Sequence, residues 1–237
     1  MSAAATWAKP PEMRLCPSIL SADFSRLSEE IALVQRAGAD FLHVDVMDAQ
    51  FVPNLTFGPI IVDACRKLTS LPLDVHLMVV EPLRFLEGFA RAGADHVTVH
   101  LEAVADPVAA ARAIRDRGLR AGIAIKPGTP IERIMPLLKD IDIALVMTVE
   151  PGAGGQSFLP ESQARIASVR QAIDAYEADC LLQVDGGISA STIAAAAGAG
   201  ADTLVAGHSV FRAPDPSRAI RELREALRAA PGRATRA

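Results

Sequence analysis

The segment "AGADFLHVDV" (residues 37–46) contains the pattern that decides the fold. An amphipathic stretch ends just before Gly38, and an apolar run rich in β-branched residues begins just after Asp40. A glycine past the end of a helix, followed by a short polar step into a strand, is typical of an αβ loop. The tetrapeptide "AGAD" recurs at 92–95 and 199–202, again before apolar runs. This repetition predicts a chain in which helices and strands alternate.

Short apolar runs occur eight times in the sequence, with helical segments between them and one after the last. In order, they are "LCPSIL", "FLHVDVM", "LDVHLMV", "HVTVHL", "AGIAI", "IALVMTV", "LLQVD" and "TLVAG". Strict alternation implies parallel strands joined by right-handed crossovers. Eight such units predict the α/β class and a single (β/α)8 TIM barrel. A doubly wound sheet is the alternative, but no G-x-G-x-x-G motif follows the first strand. We expect one domain over residues 1–237, with 1–12 and 231–237 as loose terminal arms.

Composition argues against several classes of protein. The formal net charge of -4 disfavours a nucleic-acid partner, which requires a basic surface. No apolar run approaches the length that crosses a bilayer, and the first ten residues lack the pattern of a signal peptide. The three cysteines are far apart and odd in number, which favours a reducing compartment over a disulfide framework. The expected location is therefore the cytoplasm, and the expected partner is a small molecule.

Polar side chains interrupt the apolar runs near their ends. His43 and Asp45 share one face of the second strand, His76 lies near the end of the third, and Asp185 ends the seventh. The carboxyl ends of all strands meet at one mouth of a barrel, which is where barrel active sites lie. A lone histidine is usually a core residue and a lone aspartate a cap, but burying two carboxylates near each other is costly, and a cation removes that cost. This set predicts one divalent ion per chain: zinc, iron(II), manganese or cobalt. Asp74 shares the strand face of His76, and we expect it to be structural.

Glycine-rich segments follow the last three strands. They read "PGAGGQSF" after the sixth, "DGGIS" after the seventh and "AGHSVF" after the eighth. Backbone amides exposed by glycine bind phosphate, and barrels often place this site after strands seven and eight. The pattern predicts a phosphorylated ligand bound by Gly152, Gly154, Gly155, Gly186, Gly187, Gly207 and His208.

Several motifs together resemble those of the ribulose-phosphate 3-epimerase family. They are "PSILSADF", "HVDVMD", "FVPNLTFGP", "VHLMV", "VMTVEPGAGGQSF" and "VDGGIS", and the resemblance runs from about Cys16 to Pro216. It implies a TIM barrel that interconverts D-ribulose 5-phosphate and D-xylulose 5-phosphate, with one divalent metal. The implied metal ligands are His43, Asp45, His76 and Asp185. The resemblance also implies that Asp45 and Asp185 are the acid/base pair, and that Ser18 and His76 contact the substrate.

The chemistry of such a reaction accounts for paired carboxylates. Inversion at C3 of a 2-ketose removes a proton from one face and returns one to the other, so two groups are needed on opposite sides. The intermediate would be a 2,3-enediolate, whose charge a cation stabilises. The methionines near strand ends would either cover this intermediate with polarizable sulfur or simply fill the core; they are Met47, Met78 and Met147.

Two other functions stay open at this point. One is 3-epimerisation of a six-carbon ketose phosphate such as allulose 6-phosphate, although the intact "GGQ" and "DGGI" segments favour the pentose. The other is a sugar-phosphate-binding barrel without catalysis, which retention of all four candidate ligands disfavours. Relatives form dimers and hexamers, so we expect a homo-oligomer.

The sequence departs from the family pattern near the predicted phosphate site. Ala49 stands where glycine is usual, Ala153 where an aromatic residue is usual, and His208 where a small hydroxyl residue is usual. Lys126 and Glu150 replace asparagines found in many members. We expect these changes to affect the grip on phosphate more than the chemistry.

Overall fold

Parallel β-strands alternate with helical segments along residues 13–229, the part of the chain that this computed structural model describes. The strands are β1 (Arg14–Pro17), β2 (Leu42–Met47), β3 (Leu73–Met78), β4 (His96–His100), β5 (Arg120–Ile125), β6 (Ile143–Met147), β7 (Leu181–Asp185) and β8 (Thr203–Ala206). They form one sheet in the order β1-β8-β7-β6-β5-β4-β3-β2, and every pairing is parallel. The predicted (β/α)8 TIM barrel is confirmed. The terminal arms predicted at 1–12 and 231–237 lie outside the described residues.

The barrel closes between β1 and β2 through a single parallel bridge, which joins Ser18 to His43. β1 is in contrast fully paired with β8, from Arg14 opposite Thr203 to Pro17 opposite Ala206. The closing seam therefore lies at the end of β1, beside the residues that the sequence singles out.

The helices pack outside the barrel. They are α1 (Leu27–Arg36), α2 (Pro59–Leu68), α3 (Leu86–Arg91), α4 (Pro107–Arg115), α5 (Ser162–Ala175), α6 (Ile193–Gly198), α7 (His208–Phe211) and α8 (Pro216–Ala229). Between β5 and β6 the predicted helical segment consists only of two 3-10 turns, Ile131–Arg133 and Met135–Leu137. Pro130 and Pro136 account for this, because proline lacks the N–H that a continuous α-helix needs. No helix in residues 13–229 has the length and apolar character to cross a membrane.

The first apolar run, "LCPSIL", is shorter as a strand than its composition predicts. β1 ends at Pro17, and residues Ile19–Ser21 form a 3-10 turn. The Ser18 side chain caps this turn by accepting a hydrogen bond from the backbone N–H of Leu20. A serine that bonds its own following backbone favours a turn over strand continuation. The turn places Ser18 at the barrel mouth.

The repeated "AGAD" junctions have a common structural role at the amino end of the barrel. Each aspartate accepts a backbone N–H from the preceding strand: Leu15, Leu73 and Leu182 donate to Asp40, Asp95 and Asp202. Each also pairs with an arginine, namely Arg224, Arg66 and Arg170. The repeat therefore fixes the start of each strand relative to its neighbour.

The barrel interior carries polar side chains, while the outer strand faces pack aliphatic side chains against the helices. The register sets Asp45 beside His76 and His43 beside Asp74 across β2 and β3. Gln183 on β7 donates to Asp74 Oδ2 at 2.6 Å. Because β3 and β7 are not neighbours in the sheet, this bond crosses the inside of the barrel. The residues predicted as metal ligands therefore point inward.

Candidate active site

Two imidazoles and two carboxylates meet at the carboxyl end of the barrel. One ligand atom from each of His43, Asp45, His76 and Asp185 lies within 4.8 Å of the others. Both histidines are fully buried, and Asp45 is almost so. The structure thus brings together all four residues that the sequence predicts as ligands, although His43 lies one pleat below Asp45 rather than at the strand end.

The His43 ring is held by the carboxylate beneath it. Its Nδ1 lies 2.8 Å from Asp74 Oδ2, so this nitrogen donates to the carboxylate. Its Nε2 points into the cluster, 3.3 Å from Asp45 Oδ1, and makes no hydrogen bond. A buried imidazole nitrogen without a hydrogen-bond partner, facing two carboxylates, fits a divalent cation. Asp74 therefore acts as a support for His43, in agreement with its expected structural role.

The His76 ring lies between the two aspartates and a second histidine. Its Nδ1 is 3.1 Å from Asp45 Oδ1 and 3.8 Å from Asp185 Oδ2. Its Nε2 is 2.9 Å from His100 Nε2, and His100 Nδ1 is 3.2 Å from Glu102 Oε2. Sequence reasoning missed His100 and Glu102. The signal was present, because "HLE" at the end of β4 repeats the spacing of a histidine and an acid two residues apart.

The two aspartates of the cluster have opposite protonation preferences. Burial tends to raise the pKa of Asp45, but electrostatic attraction to the imidazoles of His43 and His76 brings the pKa well below its usual range. Burial and repulsion by the Asp45 charge raise the pKa of Asp185 to about 6. One carboxyl group is therefore held ionised while its neighbour readily holds a proton. This is the arrangement that acid/base chemistry needs.

A cavity of about 440 Å³ opens above the cluster. This volume is within the range of small-molecule sites. Ser18 lines it and donates from Oγ to Asp45 Oδ2 at 2.5 Å. His43 and His76 lie beneath the cavity and do not line it. The other predicted contact residues that line the cavity are Met47, Met78, Met147, Gly152, Gly154, Gly155, Gly186, Gly187, Gly207 and His208.

The opposite side of the cavity is built from loop backbone. Gly187 has a φ of +66°, and a Cβ there would come within 2.3 Å of the Phe158 backbone nitrogen. Gly186 has a φ of +121°, and its Cβ would meet the Val149 side chain at 2.5 Å. Only glycine allows this close approach of the loops after β6 and β7. Ser209 ties the third loop to the second by donating to the Ile188 carbonyl at 2.7 Å.

Of the residues that depart from the family pattern, Glu150, Ala153 and His208 line the cavity. Ala49 has a φ of 57°, a left-handed conformation, which explains why glycine is usual there. His208 lies next to Gly155, where an added Cβ would be 3.2 Å from the His208 ring. The Lys126 ammonium sits 3.8 Å from the centroid of the Phe51 ring. The ammonium group is therefore engaged by an aromatic face.

The closed barrel and the cavity at the carboxyl ends of its strands place this protein among the TIM-barrel enzymes. Solved structures agree: the fold is similar to that of KGPDC from Streptococcus mutans, with a TM-score of 0.70 over 93% of this chain and 100% of that one, at 17% identity. Residues 14–211 match the ribulose-phosphate 3-epimerase family, and the chain belongs to it. The family resemblance expected from the motifs is confirmed, and the protein is an isomerase.

Relatives named ribulose-phosphate 3-epimerase align over most of the chain. The protein of Mycobacterium tuberculosis is 50% identical over 216 residues, which is 91% of this chain and 93% of the relative. The protein of Synechocystis sp. is 48% identical over 223 residues, covering 93% and 97%. The protein of Bacillus subtilis is 45% identical over 213 residues, covering 90% and 98%.

Proposed function

We propose that the protein interconverts D-ribulose 5-phosphate and D-xylulose 5-phosphate by inverting C3. The observation that carries the proposal is the position of Asp45 and Asp185, two carboxyl groups that belong to one cluster with His43 and His76 and that both line the cavity. Epimerisation requires one group that accepts a proton and another that donates one. The names of the relatives support the same reaction.

The two aspartates divide the proton transfers between the faces of C3. In one direction the ionised carboxylate removes the C3 proton, and the protonated carboxyl group returns a proton to the opposite face. A forward turnover leaves the first carboxyl group protonated and the second ionised, which is the state from which the reverse reaction starts. Before another forward turnover the first group must lose its proton and the second must gain one, by exchange between them or with solvent. Ser18 holds Asp45 by the hydrogen bond to Oδ2, so one oxygen of the carboxylate stays fixed. The methionines Met47 and Met78 exclude water from this region by packing with Val52.

A divalent cation held by His43, Asp45, His76 and Asp185 would supply positive charge against the developing enediolate. The donor set suits zinc, iron(II), manganese or cobalt. His76→Ala removes one nitrogen ligand and should lower bound metal to well below one ion per chain, measured by elemental analysis, with the fold intact by circular dichroism. Leu77→Val, on the other face of the same strand, is the control. Stoichiometric metal in the alanine variant would contradict the assignment.

The glycine loops are proposed to bind the substrate phosphate through backbone N–H groups. Three loops, which follow β6, β7 and β8, converge on one side of the cavity. The contacting residues are proposed to be Gly152, Gly154, Gly155, Gly186, Gly187, Gly207 and His208. The sugar end is proposed to meet Ser18, His76 and the three methionines.

Solvent deuterium incorporation at C3 tests the reaction. The purified protein is supplied with each metal in turn and incubated in deuterated water with ribulose 5-phosphate, and deuterium at C3 is followed by NMR. We expect deuterated xylulose 5-phosphate to accumulate. Faster exchange with allulose 6-phosphate would assign the six-carbon substrate instead. Exchange with neither sugar, in protein that binds both, would indicate a barrel without catalysis.

The protein is further proposed to act as a single-domain homo-oligomer in the cytoplasm. The buried, unpaired thiols of Cys16, Cys65 and Cys180 fit a reducing compartment. Leu55 and Ile60 are exposed by 77% and 78%, an apolar surface suited to a second copy. Light scattering should give a multiple of 25.0 kDa, and replacing both residues by lysine should reduce it. A monomeric mass for the unmodified protein would contradict the oligomer.

A further inference from the structure

A chain of polar contacts leads from His76 away from the cavity. The His76 and His100 rings stack with centroids 4.9 Å apart, and their Nε2 atoms are 2.9 Å apart. His100 Nδ1 lies 3.2 Å from Glu102 Oε2. His100 is fully buried, and Glu102 lies in the turn that follows β4. The reaction proposed above uses neither residue.

Glu102 is fixed as a hydrogen-bond acceptor from its other side. The Thr129 hydroxyl and the Lys126 backbone N–H both donate to Oε1. Hydrogen bonds from these groups and from His100 outweigh burial and lower the pKa of Glu102 to about 2, so the group is a carboxylate. A carboxylate has no proton to give, so the Nδ1 of His100 must donate to Oε2.

The proton on His100 Nδ1 determines which atom donates in the next contact, between His100 and His76. The His100 ring is fully buried, with Nδ1 against the Glu102 carboxylate and Nε2 against a second imidazole, so it carries its proton on Nδ1 and a lone pair on Nε2. His100 Nε2 then accepts, so His76 must donate from its own Nε2. The remaining nitrogen of His76, Nδ1, keeps its lone pair and faces Asp45 and Asp185. A doubly protonated His100 would reverse this, because it would force His76 Nε2 to accept.

We propose that Glu102 and His100 are positioning residues that fix the tautomer of His76, so that its Nδ1 serves as a metal ligand. The inference rests on the proposed metal site and adds to it the two residues that lie behind His76. Outer partners of this kind typically change metal affinity by about 10–100-fold. The two histidine ligands are then held differently, His43 by a carboxylate directly and His76 through a relay of one imidazole.

Glu102→Gln provides the sharpest test, because it preserves shape and reverses polarity. Thr129 and Lys126 both donate, so the amide oxygen must face them and the NH2 group must face His100. His100 Nδ1 becomes an acceptor, its Nε2 becomes a donor, and His76 Nδ1 is left protonated. We expect the affinity for Co²⁺ to fall by about 10–100-fold, with a changed visible absorption spectrum of the Co²⁺ form.

Matched variants separate this effect from loss of packing. Phe51→Leu alters a ring whose centroid is 4.8 Å from that of His100 but which has no polar atom, and it should leave Co²⁺ affinity within about twofold. His100→Phe keeps a ring and removes both nitrogens, and it should weaken Co²⁺ binding even if Glu102→Gln folds poorly. In a His76→Ala background, Glu102→Gln should have no further effect on affinity.

The outcomes distinguish failure of the relay from failure of the proposed metal site. Unmodified protein that binds Co²⁺ and epimerises pentose phosphate, with Glu102→Gln and His100→Phe binding Co²⁺ equally well, would overturn the relay and leave the proposed function standing. An equal loss with and without His76 would also overturn it. Unmodified protein that binds no Co²⁺ would remove the metal site itself, and the relay with it.

Discussion

The two sides of the cavity are built on different principles. On the side of β2 to β4, the functional groups are buried side chains within strands, each oriented by another side chain, as His43 is by Asp74. On the side of β6 to β8, the surface is loop backbone that glycines bring into close contact, as at Gly187. We call these the side-chain wall and the backbone wall. Asp185, at the end of β7, is the one residue of the backbone side that joins the metal cluster.

The difference follows from what each wall is proposed to hold. Cation binding and proton transfer need atoms of defined charge at fixed positions. Strands hold side chains more rigidly than loops do. A phosphate needs several N–H donors converging on one point, and only backbone without side chains can approach so closely. Damage to the side-chain wall should therefore affect metal content and proton transfer. Damage to the glycine loops of the backbone wall should affect substrate binding alone.

The largest effect is expected from Asp185→Asn, which should lower epimerisation by about 10²–10⁴-fold because the amide cannot accept the proton. One of the two sugars should still exchange its C3 hydrogen with deuterated solvent without forming the other. The measurement is NMR of each sugar separately, with metal content determined on the same preparation. A variant that retains metal, exchanges both sugars equally and still interconverts them would contradict the division between two faces.

Gly187→Val should disrupt the loop packing that forms the backbone wall. Its Cβ would lie 2.3 Å from the Phe158 nitrogen, so the loop after β6 must move. Loss of charge-assisted hydrogen bonds to phosphate, at about 1.5–3 kcal/mol each, should raise KM by about tenfold or more with metal content unchanged. Gly198→Ala, where nothing lies within 4 Å of the added Cβ, is the control for steady-state kinetics. An unchanged KM in the valine variant would place the phosphate elsewhere.

The pKa of Asp185 predicts the pH dependence of stability in metal-free protein. Because its folded-state pKa is raised to about 6, its contribution is fully present below about pH 4 and is lost as pH rises through 6. Urea unfolding of EDTA-treated protein should show Asp185→Asn gaining roughly 1–3 kcal/mol on the unmodified protein between pH 4 and pH 8. Asp45, whose pKa is lowered, contributes in the opposite sense and loses its contribution as pH falls. A pH-independent difference would show that neither burial nor the charge of Asp45 raises the pKa of Asp185.

The smallest effect is expected from His208→Ser, which replaces the exposed histidine at the rim of the backbone wall with the residue type usual in the family. KM should change by no more than about threefold, since a hydroxyl can donate one hydrogen bond in place of the ring N–H. Steady-state kinetics with ribulose 5-phosphate provides the measurement. If most activity disappears instead, His208 takes a direct part in the reaction.

The side-chain wall was predictable from sequence because strand periodicity determines it. His43 and Asp45 share a face by alternation alone, and the shared barrel mouth brings His76 and Asp185 to them. The partners behind the ligands were not predictable in the same way. The contact of His76 with His100 depends on the position of β4 beside β3, and the bond from Gln183 to Asp74 crosses the barrel. Neither contact produces a recognisable pattern in the sequence around these residues.

Two segments differ from the elements that their apolar residues predict, because side-chain capping or proline opposes the regular element. The run "LCPSIL" is apolar throughout, yet Ser18 ends the strand by capping the following turn. The segment between β5 and β6 has apolar residues at helical intervals, yet its prolines restrict it to two short 3-10 turns. The glycine loops were recognised as a group, but their mutual packing, such as Gly187 against Phe158, depends on tertiary contact.

The pairing of β1 with β8 has a consequence for how the protein is made. A chain leaves the ribosome from its amino terminus, and domains form as their segments become available. The neighbours β2, β3 and β4 are consecutive, so the side-chain wall can begin to assemble while the second half of the chain is still being synthesised. The ladder of β1 must wait for residues 203–206. Ser18, at the end of β1, can meet His43 of β2 earlier, but the β8 side of its strand is paired only after translation has passed β8. The first strand of the barrel therefore waits longest for its second neighbour.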